Sequence, residues 1–244
     1  MAAVLPVTRR SAESPTSEIV SLPSGTARVE WRRNARARRV SLRIDPSDGA
    51  IVVTLPLRAS RRAGMALLMG HVDWVARSIA ALPAAITLAD GAEIPIGGIA
   101  HVIRHHPDRR GGAWLESGEL HVTGRPEFLS RRVQDFLRAE AGRRLSALAR
   151  TKAAHSGLIP ARITIKDTTS RWGSCAPDGA IAFSWRLVMA PAFVQDYVTA
   201  HEVAHLRHMH HRPPFWKLVA SLTAHTPCAM TWLRDEGPRL LRVG

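Results

Sequence analysis

Cysteine is scarce in this chain, with only Cys175 and Cys228 among 244 residues. Two cysteines are too few for the disulfide framework on which small secreted domains depend. We therefore expect free thiols and a reducing compartment. The apolar N-terminal stretch, residues 2–5, is cut short by Pro6 and is too brief for a secretory signal. The sequence predicts a cytoplasmic protein.

Long apolar runs are also missing. The most apolar region, residues 65–99, is interrupted by charged side chains at Asp73, Arg77, Asp90 and Glu93, so we exclude it as a membrane span. A hydrophobic content of 45% and a charged content of 22% are typical of a globular protein with a buried core. We expect no membrane partner.

Lysine is rare, because all but three of the 34 basic residues are arginine, and with 20 acidic residues the net charge is +14. Such an excess suggests an anionic partner such as nucleic acid, although an arginine-biased composition would give the same number. The densest run comprises Arg32, Arg33, Arg36, Arg38, Arg39 and Arg43. It has little of the aromatic interleaving of a surface that binds single strands, so we interpret it as a solvated face.

The order of predicted elements indicates an α+β fold in three regions. Residues 1–25 mix small and polar residues without periodicity, which predicts a disordered tail. Residues 26–125 contain short alternating runs separated by turn sequences, which predicts a β-rich region with one helical stretch. Residues 126–244 begin with a long amphipathic helix over about 126–155, followed by two short strands and three further helices.

The last region contains His201-Glu202-Val203-Ala204-His205, a HExxH sequence inside a predicted helix. Residues four apart lie on the same helical face, so both imidazoles can bind one divalent metal ion. Glu202, one position further round the helix, can act as a general base on a water at the metal. Imidazole ligands fit zinc better than magnesium.

A third ligand is expected among the histidines that follow. His208 lies seven residues beyond His201, roughly 10 Å along the helix axis, which is too far for one ion. His210 and His211 come just after the helix, where the chain turns back, and both qualify on spacing.

Three motifs occur in order between residues 169 and 216. They are Arg171-Trp172-Gly173-Ser174-Cys175, then Ser184-Trp185-Arg186-Leu187, then the HExxH sequence with its trailing histidine and Phe215-Trp216. In this combination the chain resembles the YgjP-like metallopeptidase family, which is related to the SprT-like and WLM zincins. The resemblance implies a zincin-like C-terminal half, residues 126–244, in which the HExxH helix lies beside a short sheet.

The resemblance also implies a set of site residues. It assigns His201, His205 and His211 as ligands of one zinc ion and Glu202 as the general base. The sequence departs from the family pattern at His210, where the family usually has asparagine, and at Arg212, where it commonly has serine.

Residues of the first two motifs are candidates for substrate binding. They are Arg171, Trp172, Gly173, Ser174 and Arg186. Gly173 and Ser174 are expected to form a tight turn before the strand, which could be the edge on which an extended substrate pairs. Arg171 and Arg186 could stabilise an oxyanion or neutralise a buried carboxylate such as Asp196. We expect the tryptophans of these motifs to pack around the metal helix rather than line a cleft.

Three hypotheses for function follow. The first is a zinc-dependent hydrolase, a metallopeptidase whose substrate is a peptide or protein, with an anionic substrate as a further option. The second keeps the metal but acts on a phosphoanhydride such as a nucleoside triphosphate, against which the missing glycine-rich phosphate loop counts. The third is a basic module that binds nucleic acid and uses the metal only for structure, which leaves Glu202 without a role.

Overall fold

The computed structural model describes residues 16–23 and 25–244. The described residues up to Leu82 form one unit with its own hydrophobic core, and Pro83–Gly244 form a second. No helix in the described part of the chain is both long enough and apolar enough to cross a membrane. The boundary expected between residues 125 and 126 stays a prediction.

The first unit packs two helices on a four-stranded sheet. Its elements are β1 (Thr16–Leu22), β2 (Gly25–Arg33), β3 (Ser41–Ile44), β4 (Ile51–Leu55), α1 (Arg61–Gly70) and α2 (Val72–Ala80). The strand order is β1-β2-β4-β3, with β2 parallel to β4 and the other pairs antiparallel. Helix α1 approaches the sheet closely at Gly64, where a Cβ atom would lie 2.6 Å from the ring of Trp31.

Strand β1 occupies part of the segment that composition predicted to be a disordered tail, residues 1–25. Residues 1–15 lie outside the described part of the chain, but Thr16–Leu22 pairs along its whole length with β2. Val20 and Leu22 alternate toward the core of this unit, while Ile19 points to solvent. The alternation of apolar and polar residues in this strand is short, and the small and polar residues around it in 1–25 dominated the prediction.

In its described residues the second unit contains seven short strands in two sheets and five α-helices. Its strands are β5 (Glu93–Ile96), β6 (Ile99–His106), β7 (Ala113–Glu116), β8 (Glu119–Thr123), β9 (Arg162–Lys166), β10 (Gly173–Cys175) and β11 (Ala180–Ser184). Its helices are α3 (Leu129–His155), α4 (Ala192–His205), α5 (Pro213–Leu222), α6 (Thr226–Asp235) and α7 (Gly237–Leu240). The sheet orders are β5-β6-β8-β7 and β10-β11-β9.

Helix α3 organises the core of the second unit. A stripe of fully buried residues recurs every four positions along it, at Val133, Leu137, Ala141, Leu145 and Ala149. This stripe packs against helix α4 and the 3-10 helical turn Trp185–Met189. The long helix that periodicity predicted is therefore confirmed, and it holds α4 in place from one side.

The mixed α+β class predicted from the sequence is confirmed. Two four-stranded sheets lie in the N-terminal half, and helices dominate the C-terminal half around the small sheet β10-β11-β9. That small sheet and helix α4 are the elements that build the site.

Candidate metal centre

Helix α4 carries the HExxH sequence at its C-terminal end. Most of the helix is buried: Val194, Val198 and Val203 lie in the core, which fixes its rotation about its axis. His201 and His205 occupy one face, one turn apart, and the helix ends at His205. The chain then turns back within a few residues to begin helix α5.

Three imidazoles converge at this end of the helix. His201, His205 and His211 each offer a ring nitrogen, and the three nitrogens lie within 4.8 Å of one another. The Nε2 atoms of His201 and His211 are 3.2 Å apart. By contrast, His208 and His210 lie outside this group and have ring centroids 5.8 Å apart. Between the two candidates that spacing left open, the structure brings His211 to the pair.

The donor set fits a divalent metal ion. The Nδ1–H of His205 donates to the carbonyl oxygen of His208 at 2.9 Å, which leaves the Nε2 lone pair of His205 available as a ligand. Burial, together with the neighbouring His205 and His211, lowers the pKa of His201 to about 4, so its imidazole is neutral at pH 7. Neutral imidazoles whose nitrogens face one another are the ligands that zinc accepts.

Helix α5 supplies the wall behind these rings. Phe215 is fully buried, and its ring centroid lies 5.0, 4.6 and 4.8 Å from those of His201, His205 and His211. The indole Nε1–H of Trp216 donates to the carbonyl oxygen of His211 at 3.1 Å. Phe215 and Trp216 were identified from the sequence only as part of the third motif, and their contacts with the third histidine were not predicted. The signal was their position, four and five residues after it.

Glu202 directly follows His201 on helix α4 and is only 6% exposed. Burial raises the pKa of its carboxyl to about 7, and the positive charge of Arg171 opposes that shift. Among the described residues, none donates a hydrogen bond to the carboxylate of Glu202. The group can therefore accept or release a proton near neutral pH.

Gly173 makes room for this carboxylate. A Cβ atom at position 173 would lie 2.6 Å from both Cγ and Oε1 of Glu202, closer than such atoms approach. The bare backbone of β10 thus forms one side of the Glu202 pocket. Spacing in the sequence gave no sign of this contact, because the two residues are on different elements.

Strand β10 is also the edge of its sheet. Among the described residues it pairs only with β11, through Gly173, Ser174 and Cys175, and it packs against α4. The other side of the strand therefore presents unpaired backbone groups. The tight turn expected at Gly173 and Ser174 is wrong, because both residues lie within strand β10, but that strand is the sheet edge that was also expected there.

A family model described as YgjP-like, metallopeptidase domain, matches residues 38–236. The chain belongs to the YgjP-like metallopeptidase family. Comparison with curated proteins and with solved structures found no match. The matched residues include all three imidazoles, Glu202 and strand β10. Family membership supports a metal-dependent hydrolase.

The two motif arginines of this YgjP-like chain have different environments. Arg171 is exposed, and its charge acts on Glu202. Arg186 is buried, forms an ion pair with Asp167, and lies 4.3 Å over the ring of Trp185. Its contacts therefore belong to the fold, and they give no support to a role in substrate binding.

Arg186 was expected to neutralise a carboxylate such as Asp196, but it pairs with Asp167. Asp196 pairs instead with the buried Lys152, which reaches it from helix α3. Trp172, a further candidate for substrate binding, is partly buried and lies against Gly237, where a Cβ atom would be 3.2 Å from its ring. In the YgjP-like chain this tryptophan therefore packs against the first residue of helix α7.

Proposed function

We propose that this chain is a zinc-dependent metallopeptidase with a zincin-like site. In this proposal His201, His205 and His211 hold one zinc ion, and Glu202 is the general base. The observation that carries it is the convergence of three imidazole nitrogens within 4.8 Å, with the buried carboxylate of Glu202 next to His201 in the same helix. The HExxH helix α4 packed against the edge strand β10 supports the same proposal.

The chemistry divides between the metal and the carboxylate. Bound zinc supplies a Lewis acid and acidifies water toward neutral pH. Glu202 takes the proton from the attacking water at its carboxylate and delivers it to the leaving amine. Because burial raises the pKa of Glu202 to about 7, the group can perform both transfers near neutral pH. The pocket wall at Gly173 holds the carboxylate in place during both.

The free edge of strand β10 supports an extended peptide as the substrate. An extended peptide can pair with the free side of β10 at Gly173 and Ser174, which places its backbone beside Glu202. The exposed guanidinium of Arg171 lies close enough to act on Glu202, so it can contact a developing oxyanion or an acidic side chain. We therefore expect unstructured peptides to be cleaved in preference to folded domains.

Glu202→Gln separates binding from catalysis. The amide keeps the shape of the side chain but cannot accept the proton, so we expect zinc content to stay unchanged and peptide hydrolysis to fall by about 100-fold or more. Zinc content and cleavage of a fluorogenic unstructured peptide are measured on the same preparations. Hydrolysis that persists in zinc-loaded Glu202→Gln protein would contradict the assignment.

A phosphoanhydride substrate is the second candidate. It is favoured by the exposed Arg171 beside Glu202 and by the net charge of +14, which suit an anionic leaving group. Pyrophosphate or phosphate release from nucleoside triphosphates is compared with peptide cleavage by the same zinc-loaded protein. Nucleotide hydrolysis that is lost in Glu202→Gln, without any peptide cleavage, would favour this candidate over the first.

A further inference from the structure

A cluster of arginines lies at one end of the sheet in the first unit, and we call it the arginine edge. Its members are Arg33, Arg36, Arg38, Arg39, Arg58 and Arg62. They come from two segments, residues 33–40 and 56–62, and neither segment contains an acidic residue. Sequence reasoning noticed only the first segment.

The topology of the sheet brings the two segments together. Strands β2 and β4 are parallel neighbours, so the chain leaves both at the same end. Because β3 lies on the far side of β4, residues 34–40 must cross that end. The backbone N–H of Asn34 donates to the carbonyl oxygen of Leu55 at 2.9 Å, and the Arg33 guanidinium donates to that of Leu57 at 2.9 Å. The arginine edge is therefore one surface.

The crossing segment has a defined backbone. The side-chain oxygen of Asn34 accepts from the N–H of Arg36 at 2.8 Å, and its carbonyl oxygen accepts from the N–H of Ala37 at 3.1 Å. Such a turn limits the conformations of the segment. Its arginine side chains are thus presented from a fixed backbone, which reduces the entropy lost when they bind a partner.

Charge compensation distinguishes the arginine edge from the rest of the sheet. Arg32 pairs with Glu30 at 2.8 Å, and Arg43 pairs with Asp45 at 3.3 Å. In contrast, five exposed members of the edge form no ion pair with any residue that the structure describes. They are Arg36, Arg38, Arg39, Arg58 and Arg62. The interpretation as a solvated face fits the strand arginines but not this uncompensated group.

We propose that the arginine edge binds the phosphodiester backbone of a nucleic acid. Guanidinium groups donate to phosphate in pairs, and five of them on two adjacent segments match a linear polyanion better than a single small anion. Each phosphate contact releases counterions, so binding depends steeply on salt. The arginine edge shares no residue with the metal centre.

The apolar residues near the arginine edge favour a nucleic acid over a membrane. Leu57, 60% exposed, is the large apolar side chain that points to solvent on these two segments, and one such residue anchors a protein weakly in lipid. Trp31 is buried and is covered by Arg61, 4.7 Å from its ring centroid, so it offers no surface for base stacking. Contacts to the backbone of a duplex therefore fit better than recognition of unpaired bases.

The test is duplex binding by the full chain as a function of salt. Fluorescence anisotropy is measured with labelled duplex DNA and duplex RNA of about 20 base pairs, between about 50 and 200 mM salt. We expect binding that weakens with salt. The triple variant Arg36→Ala/Arg38→Ala/Arg39→Ala should bind about ten-fold more weakly or worse, and its log–log salt slope should be smaller by about 3. The DNA and RNA arms show which backbone is preferred.

Two further variants make the result decisive. Arg58→Ala/Arg62→Ala removes charge from the second segment alone and should reduce the salt slope by about 2. Arg125→Ala/Arg131→Ala/Arg234→Ala removes three exposed charges from the second unit and should leave affinity nearly unchanged. Equal losses in the two triple variants would overturn the proposal, because net charge alone would then explain binding. Absence of duplex binding would also overturn it. So would binding to phosphatidylserine vesicles, measured in parallel by co-sedimentation, by protein that does not bind the duplexes.

Discussion

At the metal centre of the second unit, three imidazole nitrogens lie within 4.8 Å of one another, and the carboxylate of Glu202 is buried against Gly173. At the arginine edge of the first unit, five guanidinium groups extend into solvent and have no ion pair among the described residues. Burial shifts the pKa values of His201 and Glu202 toward the values that metal binding and proton transfer require. The five arginines are exposed, so a partner can reach them.

This comparison shows what each arrangement can do. Ionisable groups that are desolvated and confined can perform chemistry, because their protonation and position are set by the fold. Charges that stay solvated can attract an anionic polymer but cannot be held to the precision that a reaction needs. The same distinction predicts how each region responds to mutation.

The largest expected effect comes from adding one methyl group to the metal centre. Gly173→Ala places a Cβ atom 2.6 Å from Oε1 of Glu202, so either the strand or the carboxylate must move. A displacement of about 1 Å at a catalytic group can reduce the rate by about 100-fold, and we expect a loss of that size in peptide cleavage.

Zinc content and thermal unfolding are measured on the same Gly173→Ala protein. Zinc content should stay near that of the wild type, because the three atoms nearest to a Cβ atom at position 173 all belong to Glu202. The added methyl group overpacks the pocket, so the free energy of unfolding should fall by about 1–3 kcal/mol. Gly70→Ala is the matched control, because nothing lies within 4 Å of a Cβ atom there. Full activity in Gly173→Ala would show that the Glu202 pocket is less confined than the comparison requires.

A smaller effect is expected on the pH dependence of stability. The pKa of Glu202 is raised from 4.5 to about 7 in the folded protein. As pH rises between these values, the unfolded chain releases this proton while the folded chain keeps it, so folding becomes less favourable. Glu202→Gln removes this cost. The metal-free variant should therefore match the wild type near pH 4 and exceed its free energy of unfolding by up to about 3 kcal/mol above pH 7.

Urea unfolding of both metal-free proteins across this pH range measures the difference. The titration of His201, whose pKa is lowered to about 4, is common to both chains and cancels in the comparison. Arg36→Ala serves as the contrast from the arginine edge and should change the free energy of unfolding by less than about 0.5 kcal/mol at every pH. A pH-independent difference between Glu202→Gln and wild type would mean that the carboxyl is not desolvated.

The helical part of the site could be predicted from the sequence, since it depends on spacing alone. Residues four apart on one helix must share a face, so His201 and His205 were predicted as a pair. The choice of His211 over His210 did not follow from spacing. It depends on how the chain turns back and on the bond from Trp216 to the carbonyl oxygen of His211.

Contacts between distant elements were the part that could not be predicted. Gly173 lies against Glu202 because β10 packs on α4, and Arg186 meets Asp167 rather than Asp196 because of where β9 ends. The arginine edge shows the same limit. Its second segment becomes visible only when the crossing of residues 34–40 over the end of β4 is known.

The central claim is that three particular imidazoles bind one metal ion, and metal content tests it most directly. Wild type, His211→Ala and His210→Ala are loaded with zinc, dialysed and analysed for zinc per chain by mass spectrometry. We predict one zinc ion per chain in wild type and in His210→Ala, and little in His211→Ala, because only His211 lies with His201 and His205. Zinc retained by His211→Ala and lost from His210→Ala, or no zinc in wild type, would contradict the claim.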